Sequence, residues 1–139
     1  MTASTPRRER RCRVRACLTI VALALLPLGI GCRHSSGDDN MAVAFTGGNP
    51  ARGRRAMQRY SCTACHTVPG IQGADARVGP PLAGIASRVY IAGVLPNTAD
   101  NLERWIMDPQ GVDEHTAMPY LGVTLPDARD IAAYLYTLK

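Results

Sequence analysis

The sequence predicts a small all-α fold of three main helices joined by long loops. Three segments read as helices from capping signals or from apolar residues at helical spacing, and none alternates apolar and polar residues as a half-buried strand does. The third observation is the stretch between the first two helices, residues 67–84, which holds seven glycines and prolines. A loop of that length is unusual in a small domain and predicts that it wraps around something. There is no internal repeat and no nucleotide-binding glycine loop.

The first helix opens at Asn49 as N-cap with Pro50 in the first helical position, and runs toward Tyr60. Gly53 within it is disfavoured by about 1 kcal/mol relative to alanine, which predicts a close crossing with another helix. The second helix runs from Thr98 to Met107. It carries Leu102, Trp105 and Ile106 on one face, and Pro109 limits its extension. The third opens with Thr124-Leu125-Pro126-Asp127, a capping-box-like start, and its apolar stripe is Ala128, Ile131, Ala132, Leu135 and Leu138.

The N-terminus reads as an export signal. Residues 1–15 hold six arginines against one acid, Glu9, and an apolar run over residues 16–28 comes next. That run is short of the about 20 apolar residues that a membrane span needs. Paired arginines invite a twin-arginine reading, but the residues after them do not fit that pattern. The segment Leu28-Gly29-Ile30-Gly31-Cys32 resembles a bacterial lipobox, with Gly29 where leucine is usual. The expected division is a signal peptide over 1–31, a lipid-anchor cysteine and polar tether over 32–48, and a folded domain over 49–139. Ordinary cleavage after the small pairs Gly29/Gly31 or Ala42/Ala44 is the alternative. From residue 33 onward ten basic residues face ten acidic ones, so the basic charge belongs to the signal and does not point to nucleic acid.

The folded part has about 90 residues, and the whole exported part has only one tryptophan and one phenylalanine, a thin core for which a chain of this size usually needs a staple. Cys62-Thr63-Ala64-Cys65-His66 supplies the means. Two thiols at this spacing can add across the two vinyl groups of one porphyrin, and the adjoining histidine is carried under the iron. Half a zinc site is the first competitor, but zinc wants four ligands and no second Cys/His pair lies downstream. A thioredoxin-like redox pair is the second, and it needs a βαβ context that the helical residues before Cys62 do not provide. With Cys12, Cys17 and Cys32 in or beside the signal, no cysteine pair is left for a structural disulfide.

On this motif and the segments downstream of it, residues 49–139 resemble a class I c-type cytochrome. The resemblance implies a small cytochrome c fold around one covalent haem c, with His66 and Met118 on the iron. Gly79-Pro80-Pro81-Leu82 is similar to the family's Gly-Pro-x-Leu segment, in which the first proline's carbonyl, here that of Pro80, accepts a hydrogen bond from the proximal histidine; a plain turn is the alternative. Met118, in Thr116-Ala117-Met118-Pro119, stands where the family's ligand methionine stands, as against a core methionine filling a gap, and His115 is the rival ligand. Trp105 aligns with an aromatic beside that methionine, or fills the core. Arg88 and Thr116 align with residues near a haem propionate, or serve the surface.

The implied function is single-electron transfer on the outer side of a bacterial cytoplasmic membrane, by an exported carrier rather than an enzyme, with redox proteins of a respiratory or dehydrogenase chain as partners and the membrane reached through the anchor. The alternatives are a permanent relay subunit of a membrane oxidase or dehydrogenase, and a haem enzyme or gas binder with a displaceable sixth ligand.

Overall fold

The computed structural model describes residues 36–139; the expected signal peptide and the anchor cysteine Cys32 lie outside the described residues. In chain order the described residues form α1 (Ser36–Thr46), α2 (Pro50–Arg59), a 3-10 turn (Cys62–Ala64), a second 3-10 turn (Ile85–Ser87), β1 (Tyr90–Ile91), β2 (Leu95–Pro96), α3 (Ala99–Met107), α4 (Pro109–Val112) and α5 (Leu125–Leu135). The fold is all-α, as expected, and none of these helices is long and apolar enough to cross a membrane.

The three expected helices start where expected, the first and third at their expected caps and the second at Thr98, which the structure shows to be its cap. Asn49 accepts the Arg52 N–H at 2.9 Å, Thr98 accepts that of Asn101 at 3.3 Å, and Thr124 accepts that of Asp127 at 3.4 Å. Each satisfies one of the amides that a helix start leaves without an intrahelical partner. The stripe Ala128, Ile131, Ala132, Leu135 and Leu138 is buried throughout, and with Met57, Leu102 and Ile106 it makes the core.

α5 is the central element, packed by α2, α3 and α1. Gly53 is the point of closest approach to α2. A Cβ placed there would lie 1.9 Å from the Asp130 carbonyl oxygen, so only glycine permits the crossing. Polar contacts lock the same pair. Asp130 accepts from the Asn49 N–H at 2.7 Å and from the Arg52 guanidinium at 2.6 and 2.9 Å. Asp127 accepts from Arg59 and from the Tyr60 hydroxyl, both at 2.7 Å.

Three elements depart from expectation. The polar tether gives way to a helix over Ser36–Thr46, which carries Asp38 and Asp39 in its first turn, where acids favour the helix dipole. Ala42 and Thr46 are buried, and the Thr46 hydroxyl donates to the Ala42 carbonyl and accepts the Gly48 N–H. Phe45 meets Tyr136 edge-on at 4.9 Å, and Lys139 pairs with Asp38. Composition reads as a linker because only one narrow face of this helix is buried. Cleavage at Ala42/Ala44 would fall inside it. The second departure is the hairpin of β1 and β2, pairing Tyr90 with Pro96 and Ile91 with Leu95. Two residues a strand are too few for alternation to show. The third is α4, one turn capped by Asp108, which accepts the Gly111 N–H at 3.0 Å.

Candidate functional site

The thiol motif begins where α2 stops. Ser61 takes a left-handed backbone conformation, φ 57°, and turns the chain into the 3-10 turn Cys62–Ala64. The amides of Cys65 and His66 both donate to the Cys62 carbonyl, at 3.3 and 3.1 Å, so one tight turn carries both cysteines and delivers the histidine. The thiols are half-buried and free of any disulfide. Burial pushes the Cys62 thiol up to about 11, which keeps it protonated. Redox-active Cys-x-x-Cys pairs show the opposite shift, toward the thiolate.

His66 is held from one side. Its Nδ1 lies 2.7 Å from the Pro80 carbonyl oxygen, so Nδ1–H donates there and Nε2 keeps its lone pair for a metal. Gly79 makes this approach possible. A Cβ on it would lie 2.4 Å from His66 Cε1 and 2.7 Å from Nδ1. Two backbone bonds bracket the ring, from the Gly79 N–H to the Cys65 carbonyl at 2.7 Å and from the Leu82 N–H to the Thr67 carbonyl at 2.9 Å. The rest of loop 67–84 folds on itself through Val68 N–H to Ala74 O at 2.9 Å and the Thr67 hydroxyl to Ala76 O at 2.8 Å. The Tyr134 hydroxyl, from α5, pins the loop by donating to Pro69 O at 2.6 Å.

Met118 is half-buried in an irregular segment between α4 and α5. Its N–H donates to the Thr116 hydroxyl at 3.2 Å and its carbonyl accepts from the Gln110 side chain at 2.7 Å. Thr116 therefore braces the methionine backbone. Trp105 is half-buried against the core. Arg88 sends its guanidinium to the carbonyls of Pro81, which adjoins Pro80, and of Ala83. His115 stands in solvent beside Glu114, its side chain 87 % exposed.

The donor set suits a haem. Two thiols in one turn, an imidazole with its far nitrogen free and a thioether on a braced loop are the groups that an attached porphyrin and its iron take. A zinc site lacks its ligands, because among the described residues no group of three or more His, Cys, Asp or Glu side chains could hold a metal ion. The sequence reading missed Gln110, whose one-turn helix carries no periodic signal, and the contact of Gly79 with the ring. The Gly79-Pro80 pair was itself the available signal for that contact.

Comparison with known proteins assigns a family to the same part of the chain. The sequence model of the family described as cytochrome c matches residues 50–139, which leaves α1 outside the match. The chain is similar to cytochrome c oxidase subunit 2 of Alkalihalophilus pseudofirmus, 38 % identical over 89 residues, covering 63 % of this chain and 25 % of that protein. It is likewise similar to the subunit 2 proteins of a Bacillus species, strain PS3, with 32 % identity over 93 residues, 64 % of this chain and 26 % of the relative, and of Bacillus subtilis, with 30 % over 87 residues, 61 % and 24 %. The chain thus spans about a quarter of the length of the curated relatives that it matches. No solved structure matches it.

Proposed function

Because the chain belongs to the cytochrome c family, we propose that it carries single electrons through one haem c, attached by Cys62 and Cys65, with His66 and Met118 as the axial ligands. When bound, haem c supplies a one-electron ferric/ferrous couple. The chain's own residues set its conditions. His66 presents Nε2 while Pro80 holds Nδ1, and the hydrogen bond raises the basicity of the imidazole. Met118 offers a soft, weak donor that favours the ferrous state and so raises the potential. Were His66 and Met118 both to hold the iron, the protein's own donors would leave no coordination site for substrate, and the chemistry supplied would be outer-sphere electron transfer.

The observation that carries this reading is the 2.7 Å contact of His66 Nδ1 with Pro80 O, directly after two free thiols in one turn. The purified holoprotein tests it. Acidified acetone should leave the haem on the chain, and the oxidised protein should show the weak red charge-transfer band of sulfur on ferric haem. Met118→Ala should abolish that band. Extractable haem sinks the covalent attachment, and an unaltered band in the variant moves the sixth ligand elsewhere.

The place of action that fits is the outer side of a bacterial cytoplasmic membrane, supported by the arginine-headed apolar run before the domain and by Cys32 in its lipobox-like setting. A second reading, a relay subunit of a membrane oxidase, is favoured by the relatives, each of which is named as an oxidase subunit 2.

A further inference from the structure

Asn97 stands where three parts of the molecule meet, and nothing in the electron-transfer reading uses it. Its backbone N–H donates to Val89 O at 3.0 Å across the base of the β1–β2 hairpin. Its side-chain nitrogen donates to the carbonyls of Ile85 and Arg88, both at 2.8 Å, and its side-chain oxygen accepts from the Tyr136 hydroxyl at 2.8 Å. A side-chain amide offers two donor hydrogens and one acceptor oxygen, so all three are engaged. Tyr136 comes directly after the last turn of α5, and burial pushes its hydroxyl up to about 12, which keeps it a donor.

The two carbonyls that Asn97 holds belong to the 3-10 turn Ile85–Ser87 and its C-cap, Arg88. A backbone bond from the Ala86 N–H to Leu138 O at 3.2 Å fastens the same turn to the chain's last residues. From this turn the Arg88 guanidinium reaches back to Pro81 O and Ala83 O. Pro81 adjoins Pro80, whose carbonyl faces His66 Nδ1. The line from Tyr136 through Asn97 and Arg88 to Pro80-Pro81 thus spans four separate stretches of sequence.

The geometry points to Asn97 as a positioning residue for His66. It fixes the turn from which Arg88 departs, and Arg88 fixes the proline pair whose carbonyl orients the imidazole. This rests on His66 being the axial ligand of the proposed function. Such a partner outside the ligand set governs both ring orientation and ligand basicity.

Asn97→Asp is the discriminating change. A carboxylate of nearly the same shape still accepts from Tyr136, but it sets acceptor against acceptor at both carbonyls. The measurement is exchange of the His66 Nδ1 proton with deuterium, observed by NMR on the reduced holoprotein. Asn97→Asp should exchange about tenfold faster, the factor that corresponds to one hydrogen bond of ordinary strength. Tyr136→Phe, which keeps both donors, should show a smaller rise. Thr46→Val removes a buried hydroxyl from α1 and controls for lost stability alone, so its exchange should match the wild type. Wild-type exchange in Asn97→Asp overturns the proposal, as does a rise in Thr46→Val equal to that in Asn97→Asp. If Asn97→Asp does not assemble, Tyr136→Phe decides alone, and unchanged exchange there overturns the proposal. A wild-type holoprotein with no protected Nδ1 proton overturns the proposal, whereas His66 ring protons that lack the upfield shift of a haem-bound imidazole would remove His66 as the ligand, a failure of the underlying reading.

Discussion

At His66, three neighbours do different work. Cys62 and Cys65 fix where the backbone of the histidine lies, Pro80 fixes the plane and tautomer of its ring, and Gly79 leaves the space in which the ring turns. Gly79 is not at positive φ, so alanine meets no backbone strain there and the side-chain clash alone decides its effect. A Cβ 2.4 Å from Cε1 must push the ring or the loop away. Gly79→Ala should therefore weaken the bond to Pro80, lower the basicity of the imidazole and raise the reduction potential. A redox titration of the variant checks the sign, and an unchanged or lower potential would show that the ring does not depend on this contact. Arg88 and Thr116 also gain definite partners: Arg88 clamps the carbonyls of Pro81 and Ala83, and Thr116 holds the Met118 amide.

Among the elements, α2 and α5 depend on each other through two carboxylates. Burial of Asp130 pushes its pKa up, but the Arg52 guanidinium and the Asn49 N–H outweigh it, and the net shift is downward. Asp127 is also lowered, first by the Tyr60 hydroxyl and then by Thr124 and Arg59. A carboxylate lowered in the fold contributes stability that is full above its unfolded value of about 4 and is lost as pH falls through the folded value. Acid below about pH 4 should therefore loosen this helix pair first. Thermal melts of the wild type and Asp130→Asn between neutral pH and pH 3 test it, both holoproteins being monitored by helix content. The wild type should be the more stable at neutral pH, and the gap should shrink as pH falls. A gap constant with pH would mean that charge at Asp130 contributes nothing. Glu103 works in the opposite sense: burial raises it and Arg129, at 3.6 Å, only partly offsets this, so its ionised form weighs against the fold.

For the molecule as a whole, charge does little to name a partner. Ten bases balance ten acids from residue 33 onward, so the net charge of the polypeptide favours neither an acidic nor a basic partner. The oxidase names of the relatives give the concrete alternative to a freely exchanging carrier. Solubilising the membranes of the source cell in mild detergent and separating native complexes distinguishes the two. A relay subunit should migrate with the oxidase and leave it only on denaturation. A carrier should run alone, in the membrane fraction if Cys32 is lipidated. Haem staining of that position identifies the protein in either case.

The legible part of this protein is what neighbouring residues encode. The caps Asn49 and Thr124, the apolar face of α3, the stripe on α5, the glycine at a helix crossing, and the thiol-thiol-histidine motif are each written within about one turn or two of chain, and the structure reproduces the helices that they predict. The Pro80 carbonyl is legible too, because the family resemblance alone points to that position. Tertiary structure alone decided the rest. α1 is helical because Ala42 and Thr46 find a face of the fold to pack on, and its polar composition says nothing of that face. The β1–β2 hairpin and α4 are shorter than any period by which they could be read. Asn97 looks like an ordinary turn residue until the fold brings Tyr136 to its side-chain oxygen and Ile85 and Arg88 to its nitrogen. Local spacing determines the three main helices, whereas a side chain whose partners lie tens of residues away acquires its role only when the chain closes around them.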